Sequence, residues 1–165
     1  MRIHIIGCSG SGKSYLADKL SEKYNIPHFD LDDLQWDNNA EHYGVKMPEE
    51  KRDAMLREIV SGPDWIVEGV YYKWVLDSFD TADLIYVLDM PRRLYRRRII
   101  LRFIKRKLGL AEGKKESLKS LINLLKWTKK FQNENMPKIK EILEKYPDKV
   151  VWLSSKRDVN KIIAK

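Results

Sequence analysis

Residues 7–14 have the sequence GCSGSGKS and directly follow the apolar run RIHII of residues 2–6. The stretch matches the pattern Gly-x-x-x-x-Gly-Lys-Ser of a phosphate-binding P-loop in full. The apolar run before it is typical of a buried strand, and Leu16 and Leu20 after it have helical spacing. This part of the chain therefore predicts a strand, a loop that surrounds phosphate groups, and a helix.

The residue types in this loop suit the polyphosphate of a nucleotide. Glycines let backbone N–H groups approach phosphate oxygens, and the start of the following helix adds positive potential. Lys13 can reach the β and γ oxygens, and the Ser14 hydroxyl can bind Mg²⁺. The alternative is an ordinary Gly-Ser turn that caps a helix. We expect the nucleotide to contact Gly7, Ser9, Gly10, Ser11, Gly12, Lys13, Ser14 and Tyr15.

Length and composition indicate one globular domain over residues 1–165. The lone Cys8 cannot form an internal disulfide, which is typical of a reducing compartment. No apolar stretch approaches the roughly 18 to 20 residues of a membrane-spanning helix, and the chain begins directly with a strand pattern. We therefore expect a cytoplasmic protein without a membrane partner.

Positive charge is concentrated in one segment. The net charge is +8, yet residues 91–140 hold 17 Lys and Arg against 3 Asp and Glu. Such a segment suits an anionic partner, which is a nucleotide, a nucleic acid backbone or a membrane surface.

Five short apolar runs alternate with helical patterns along the chain. The segments between them have helical periodicity, and the region 114–145 predicts a long helix interrupted near Met136-Pro137. Leu118, Leu121, Ile122, Leu125 and Thr128 form its apolar stripe, and residues 109–113 predict a turn before it. This alternation predicts a three-layer α/β domain with a parallel sheet. The predicted strands are Ile3 to Ile6, Ile26 to Phe29, Trp65 to Val70, Leu84 to Leu88 and Val150 to Leu153.

Carboxylates follow the second and third predicted strands, at the sheet edge where open α/β folds bind ligands. Asp32 is a candidate to orient or deprotonate an accepting group, and Asp30 and Glu68 are candidates to hold Mg²⁺ with Ser14. Trp36 and residues 71–72 fall near this acceptor side. The alternative is that these acids only solvate or end the strands, and for Asp33 we favour a helix cap or a solvated loop.

Seven of the eleven arginines lie between positions 92 and 106. Arg98, Arg102 and Arg106 recur every four residues, so they share one helix face. Arginine binds phosphate oxygens with a planar, permanently charged fork. We predict that Arg98 contacts the nucleotide and that Arg98 and Arg102 stabilise charge on the transferring group. The alternative is a solvated helix face, which applies more to Arg92, Arg93 and Arg97.

Four stretches together resemble the bacterial topology modulation proteins, which belong to the adenylate-kinase-like P-loop kinases. They are residues 7–14 (GCSGSGKS), 29–36 (FDLDDLQW), 65–71 (WIVEGVY) and 88–93 (LDMPRR) with the arginines that follow. The resemblance covers most of the chain and implies a sheet of order 2-3-1-4-5. It also implies a helical, arginine-rich lid at about 91–140, because no separate β-rich lid is evident.

The same resemblance assigns roles to single residues. In adenylate kinases, arginines at the seventh and eleventh positions after a proline engage ATP, and Pro91, Arg98 and Arg102 reproduce this spacing. Asp30 and Asp32 match the paired acids that serve Mg²⁺ and the acceptor hydroxyl in shikimate and gluconate kinases. Glu68 stands where these relatives usually have Asp, and its side chain is one methylene longer.

The leading interpretation is a kinase that uses ATP and Mg²⁺ to phosphorylate a small acceptor, such as a nucleotide or another metabolite. Lys13, Asp32, Arg98 and Arg102 are its predicted catalytic residues. The rival is a nucleotide-regulated protein that binds nucleic acid through residues 91–140, although the chain has no recognised base-reading motif. In a third interpretation nucleotide only stabilises a scaffold. We expect a monomer or a homodimer.

Overall fold

The computed structural model describes residues 1–37, 39–40, 42, 44–110 and 117–164. A five-stranded parallel sheet has the order β2-β3-β1-β4-β5, which confirms the predicted fold class and strand order. The strands are β1 (Arg2–Gly7), β2 (His28–Asp30), β3 (Trp65–Gly69), β4 (Leu84–Leu88) and β5 (Val150–Leu153).

Helices surround this sheet. They are α1 (Lys13–Tyr24), α2 (Leu31–Gln35), α3 (Glu49–Val60), α4 (Leu76–Thr81), α5 (Arg92–Lys107), α6 (Leu118–Lys130), α7 (Met136–Leu143) and α8 (Lys156–Ala164). A π-helical segment (Phe131–Asn135) joins α6 to α7. Within the described ranges, no helix is long and apolar enough to cross a membrane.

The central strands are buried because both of their faces are covered. All five residues of β3 are buried, and β1 is buried from Ile3 onward. This burial explains why the two strands have near-continuous apolar sequences instead of alternating ones. Because all five strands are parallel, their carboxyl ends lie at one edge, and the loop of residues 7–14 leaves β1 at this edge.

The second strand differs from its prediction. It begins at His28 instead of Ile26, because Pro27 has no N–H to donate to a ladder. It ends at Asp30, whose side chain accepts a hydrogen bond from the Asp32 N–H and caps α2. The predicted cap residue Asp33 lies inside that helix instead. The sequence did not reveal α2 or α4, which have only 5 and 6 residues.

The region after Ser117 is helical. The interruption predicted near Met136-Pro137 is the π-helical segment that ends directly before Met136, and α7 then includes both residues. The wider turn suits Pro137, which cannot donate the hydrogen bond of a regular helix. Leu118 and Ile122 are exposed, whereas Leu121, Leu124, Leu125 and Trp127 pack on the core. The predicted turn begins at Gly109 (φ +72°), and residues 111–116 lie outside the described ranges.

Candidate functional site

The loop between β1 and α1 has the backbone that the motif predicts. Gly10 (φ +77°) and Gly12 (φ +106°) lie in the left-handed region that favours glycine. A Cβ atom at Gly10 would also lie 2.9 Å from the carbonyl oxygen of Tyr95 in α5. Glycine at position 10 therefore serves two needs, the turn itself and the close approach of α5.

Lys13 and Glu68 form a buried pair beside this loop. Lys13 is 8% exposed and Glu68 is 2% exposed. The Lys13 ammonium donates a hydrogen bond to the Cys8 carbonyl at 3.4 Å and lies 3.7 Å from Glu68 Oε2. The positive group is thus held between the loop and the end of β3, within reach of anions that bind to the loop.

Three oxygen-bearing side chains come together at the ends of β2 and β3. The Ser14 hydroxyl donates to Glu68 Oε1 at 2.5 Å. Asp30 is the neighbour of Glu68 across the β2–β3 ladder. Burial, and then repulsion from Glu68, raise the pKa of Asp30 to about 6. The two acids therefore lie close enough to interact, as a shared cation site requires.

These three side chains fit Mg²⁺. Hydroxyl and carboxylate oxygens are hard ligands, and Mg²⁺ usually keeps several waters and takes other ligands from substrate phosphates. In the described part of the chain, no group of three or more His, Cys, Asp or Glu side chains is placed to hold a metal. Ser14, Asp30 and Glu68 would thus supply part of a coordination shell.

Asp32 lies in the first turn of α2 and is exposed. Its Oδ1 accepts a hydrogen bond of 2.5 Å from the Tyr71 hydroxyl. Burial, reinforced by this bond, raises the pKa of Tyr71, so the phenol keeps its proton and continues to donate. Tyr71 therefore fixes the direction of the Asp32 carboxylate.

The arginines of α5 divide between two sides of the helix. Arg98 Nη1 donates to the Ser11 carbonyl at 2.6 Å and to the Gly10 carbonyl at 3.3 Å. Arg102 follows one turn later and lies beside the loop. A separate outer group of arginines lines a different cavity with Ile100 and Leu101; its members are Arg92, Arg93, Arg96 and Arg97.

Two cavities meet at the loop. The first, of about 540 Å³, is on the side predicted for ATP and is named the donor-side cavity; it is lined by Gly10, Gly12, Lys13, Ser14, Tyr15, Arg98, Ile99, Arg102 and Lys156. The second, of about 410 Å³, is on the side predicted for the acceptor and is named the acceptor-side cavity; it is lined by Ser9, Gly10, Lys13, Ser14, Asp30, Asp32, Trp36, Glu68, Gly69, Val70, Tyr71, Arg102, Leu124 and Trp127. Gly10, Lys13, Ser14 and Arg102 line both of them. The loop is therefore the wall between two adjoining compartments.

Most of the predicted site residues line one of the two cavities. Gly7 and Ser11 do not. A Cβ at Gly7 would lie 2.8 Å from the Leu88 carbonyl oxygen, and Ser11 is 1% exposed, with its carbonyl bonded to Arg98. Both residues shape the loop by packing.

Sequence reasoning missed Leu124 and Trp127, which reach the acceptor-side cavity from α6. The signal that could have identified them is their spacing of three residues, which places them on one helix face.

Comparisons with known proteins agree with this geometry. No family model matches the chain. An adenylate kinase from Clostridium kluyveri is 30% identical over 119 residues, which cover 57% of this chain and 55% of that protein. The chain thus spans about half the length of the adenylate kinase that it matches. The uncharacterized protein YqaC from Bacillus subtilis is 28% identical over 138 residues, which cover 81% of this chain and 74% of that protein.

Solved structures share the whole fold. A sugar kinase from Janibacter sp. HTCC2649 has a TM-score of 0.55 and 17% identity, over 99% of this chain and 90% of that one. Shikimate kinase from Bacteroides thetaiotaomicron has a TM-score of 0.53 and 17% identity, over 99% of this chain and 94% of that one. The chain therefore shares its fold with these kinase structures, and its sequence, which contains the complete P-loop motif, is similar to that of an adenylate kinase.

Proposed function

We propose that this protein is a small-molecule kinase that transfers the γ-phosphoryl group of ATP to an acceptor and requires Mg²⁺. One observation carries the proposal: the two cavities adjoin at the P-loop and share Gly10, Lys13, Ser14 and Arg102. A phosphoryl group that passes between two substrates needs both of them held at one point. A protein that only binds nucleotide does not need the second compartment.

On the donor side, the chain would hold and neutralise the triphosphate. Loop N–H groups and the start of α1 surround phosphate oxygens, and Lys13 adds a charge at the boundary of the two cavities. Arg102 lines both cavities and Arg98 lines the donor-side cavity, and both would stabilise the charge that spreads over the transferring group. The bonds from Arg98 to the Gly10 and Ser11 carbonyls hold its guanidinium against the loop.

On the acceptor side, Ser14, Asp30 and Glu68 would hold Mg²⁺. When bound, the cation neutralises charge on the phosphate oxygens. Asp32, oriented by Tyr71, lies on the wall of the acceptor-side cavity. Its carboxylate would orient the accepting group and take its proton.

Similarity to named proteins supports the proposal. One of the sequence relatives is an adenylate kinase, and the matching structures include a sugar kinase and shikimate kinases. These proteins differ in acceptor, so they support phosphoryl transfer without identifying the second substrate. We further propose that the protein acts in the cytoplasm as a monomer or a homodimer.

ADP release in a coupled assay tests the proposal. Wild-type protein with ATP and Mg²⁺ is presented with nucleoside monophosphates, nucleosides and hydroxy acids in separate reactions. We expect at least one acceptor to stimulate ADP release, and we expect Lys13→Ala to abolish the stimulation. Lys138→Ala, an exposed change in α7, is the matched control. Release that is the same with and without every acceptor would contradict the kinase assignment.

The outer arginine group favours a second candidate function, nucleotide-regulated binding of nucleic acid. Arg93, Arg96 and Arg97 are exposed, and none of the four outer arginines forms an ion pair within the described ranges. Such a surface suits a phosphodiester backbone. Retention of DNA that falls with salt, responds to ATP and is lost in Arg93→Gln/Arg97→Gln, together with absent phosphoryl transfer, would support this candidate.

A further inference from the structure

We propose that the outer side of α5 binds the surface of a membrane that contains anionic phospholipids. The inference goes beyond the proposed function and does not depend on it. It concerns the outer arginine group and a neighbouring set of aliphatic side chains, the outer apolar strip, which the proposed phosphoryl transfer does not use. The strip consists of Ile100, Leu101, Ile104 and Leu108.

Helix α5 is apolar on two sides. Tyr95, Ile99 and Phe103 are buried on its inner side. The outer apolar strip follows another side with spacings of three and four residues, and its four residues are 38% to 66% exposed. The outward side of a helix in a globular domain is normally polar. Four exposed aliphatic side chains on that side therefore indicate a surface that is buried against another apolar medium.

The outer side of α5 is also strongly positive. Residues 91–110 contain nine Lys and Arg and no Asp or Glu. The exposed cations on and beside the strip form no ion pair within the described ranges; they are Arg93, Arg96, Arg97, Lys105 and Lys107. A partner that covers the strip must therefore supply negative charge.

Both kinds of side chain line one outer cavity, which has a volume of about 580 Å³. Its lining residues are Arg92, Arg93, Arg96, Arg97, Ile100 and Leu101. An arginine can keep its methylene groups on an apolar surface while its guanidinium reaches phosphate oxygens. Phosphate groups and hydrocarbon would therefore both find suitable side chains in this cavity.

The surface of an anionic membrane offers phosphate and hydrocarbon together. An amphipathic helix binds there with its apolar residues at the boundary of headgroups and acyl chains and its cations among the phosphates. Arg93 and Arg97 precede Leu101 in steps of four residues, so these cations and the strip face the same plane. Helix α5 has 16 residues and a length of about 24 Å, over which it can lie in that plane.

Other partners match only part of this surface. A second copy that paired through the same side of α5 would bring Arg93 and Arg97 near identical cations, with no acid on the helix to compensate. A nucleic acid backbone would pair with the arginines, but it has no apolar surface to cover Ile104 and Leu108. The sequence predicted no membrane partner because its apolar runs are too short to span a membrane. A helix that lies on the surface needs an apolar strip along one side instead.

Membrane binding and nucleotide binding would use different side chains of α5. Arg98 and Arg102 line the donor-side cavity, and the outer cavity contains neither of them. The membrane inference can therefore be tested without ATP, and its failure would leave the kinase assignment untouched.

Vesicle sedimentation tests the charge requirement. The vesicles contain phosphatidylcholine alone, or phosphatidylcholine with an equal amount of phosphatidylglycerol. We expect the protein to bind the mixed vesicles about tenfold or more tightly, since each cation near an anionic surface contributes about fivefold. Arg93→Gln/Arg97→Gln should lower this binding by about tenfold or more, and the exposed pair Lys51→Gln/Lys138→Gln on α3 and α7 should lower it much less. Equal binding to both kinds of vesicle, or binding to neither, overturns the inference.

The outer apolar strip distinguishes a membrane from a partner that is only charged. Ile100→Ser/Ile104→Ser should lower binding to the mixed vesicles by about tenfold or more, because the lost aliphatic groups no longer enter the acyl boundary. Val45→Ser/Leu76→Ser is the matched control, since these residues are 43% and 42% exposed and lie outside α5. Thermal unfolding checks that each variant is folded. Equal vesicle binding by the two folded variants overturns the inference.

An environment-sensitive fluorophore locates the contact without removing the whole strip. It is attached to Ile104→Cys or to Leu76→Cys, and wild-type protein measures any labelling of the buried Cys8. We expect the mixed vesicles to shift the emission to shorter wavelength at position 104 and not at position 76. Unchanged emission at position 104, or an equal shift at both positions, overturns the inference.

Two further outcomes would assign the surface to another partner. If the protein retains duplex DNA but does not bind the mixed vesicles, the membrane inference is overturned in favour of the nucleic-acid candidate. If analytical ultracentrifugation shows a dimer that Ile100→Ser/Ile104→Ser dissociates, and the mixed vesicles do not bind, the strip belongs to an interface between two copies and the inference is likewise overturned.

Discussion

Glu68 contacts two residues of the P-loop. Its Oε1 accepts a hydrogen bond from the Ser14 hydroxyl at 2.5 Å, and its Oε2 lies 3.7 Å from the Lys13 ammonium. One carboxylate thus contacts both side chains that end the P-loop motif. The sequence predicted an acid at this position. The double contact depends on the register that places Glu68 beside Ile5 of β1, and strand register is a tertiary feature.

Glu68→Gln should weaken the binding of Mg²⁺. The amide keeps the size of the side chain and removes the charge that favours a cation near Ser14. We expect the apparent affinity for Mg²⁺ to fall about 10-fold to 100-fold, the range for residues that support a metal site. Mg²⁺ titration of ATP binding at fixed ATP measures this, with the exposed change Glu58→Gln as control. An unchanged Mg²⁺ curve would remove Glu68 from the metal site.

The packing of α5 against the P-loop is the contact between elements that matters most for the site. The Tyr95 carbonyl oxygen lies where a Cβ at Gly10 would point, and Arg98 donates to two loop carbonyls. Helix α5 therefore packs on the P-loop through the Tyr95 backbone as well as through the Arg98 side chain. The sequence predicted the helix and its arginine face, but not this backbone contact.

Gly10→Ala tests that contact, with Gly109→Ala as its matched control. Both glycines have φ near +75°, so both alanines carry a backbone cost of about 1 to 2 kcal/mol. Among the residues that the structure describes, only position 10 also has a clash, because none of their atoms lies within 4 Å of a Cβ at Gly109. We expect both variants to lower the free energy of unfolding, and only Gly10→Ala to lower ATP affinity, by about tenfold or more. Equal ATP affinity of the two variants would refute the role of this packing.

Local sequence signals predicted some elements better than others. The P-loop and its flanking elements follow from a motif of eight residues, and all five strands match their predicted bounds within two residues. By contrast, α2 begins directly after β2, because Asp30 is both the last residue of the strand and the N-cap of the helix, and only the backbone of the structure reveals this. The interruption near Pro137 was predicted, but its π-helical form was not, because a proline in a helix usually predicts a break.

At the scale of the whole molecule, a histidine buried at the centre of the sheet makes the stability of the fold depend on pH. His4 is fully buried on β1 and stacks on Phe79 at 4.5 Å. The Ser78 hydroxyl donates to the Val75 carbonyl, so it accepts from His4 Nδ1 at 2.8 Å. Protonation would place a second N–H at Nε2, which has no hydrogen-bond partner in the described ranges. Burial therefore lowers the pKa of His4 to about 3.

This histidine predicts acid sensitivity of the fold. The unfolded chain takes up a proton at His4 below pH about 6.5, and the folded state does so only near pH 3. The free energy of unfolding should therefore fall as pH decreases from 6.5, by up to about 1.4 kcal/mol per pH unit from this group. Denaturant unfolding at pH 7, 6 and 5 measures the slope. His4→Gln should reduce the slope and exposed His42→Gln should not; equal slopes in all three proteins would contradict the assignment.

The sequence predicted the site residues that belong to motifs. It did not predict those that reach the site through the packing of helices. Lys13, Ser14, Asp30, Asp32, Glu68, Arg98 and Arg102 were all named from strand ends or helix spacing, and all line the two cavities. Leu124 and Trp127 were not. They reach the acceptor-side cavity from α6, and the sequence does not fix where that helix packs.

Titration calorimetry of ATP with Mg²⁺ into wild-type protein and Lys13→Ala is the most direct test of the P-loop as a triphosphate site. Lys13 lines both cavities, and its ammonium can neutralise the β and γ phosphates. We expect binding by the wild type and a loss of about tenfold or more in the variant, as removal of a charged hydrogen bond implies. Equal affinities in the two proteins, with both folded, would contradict the account.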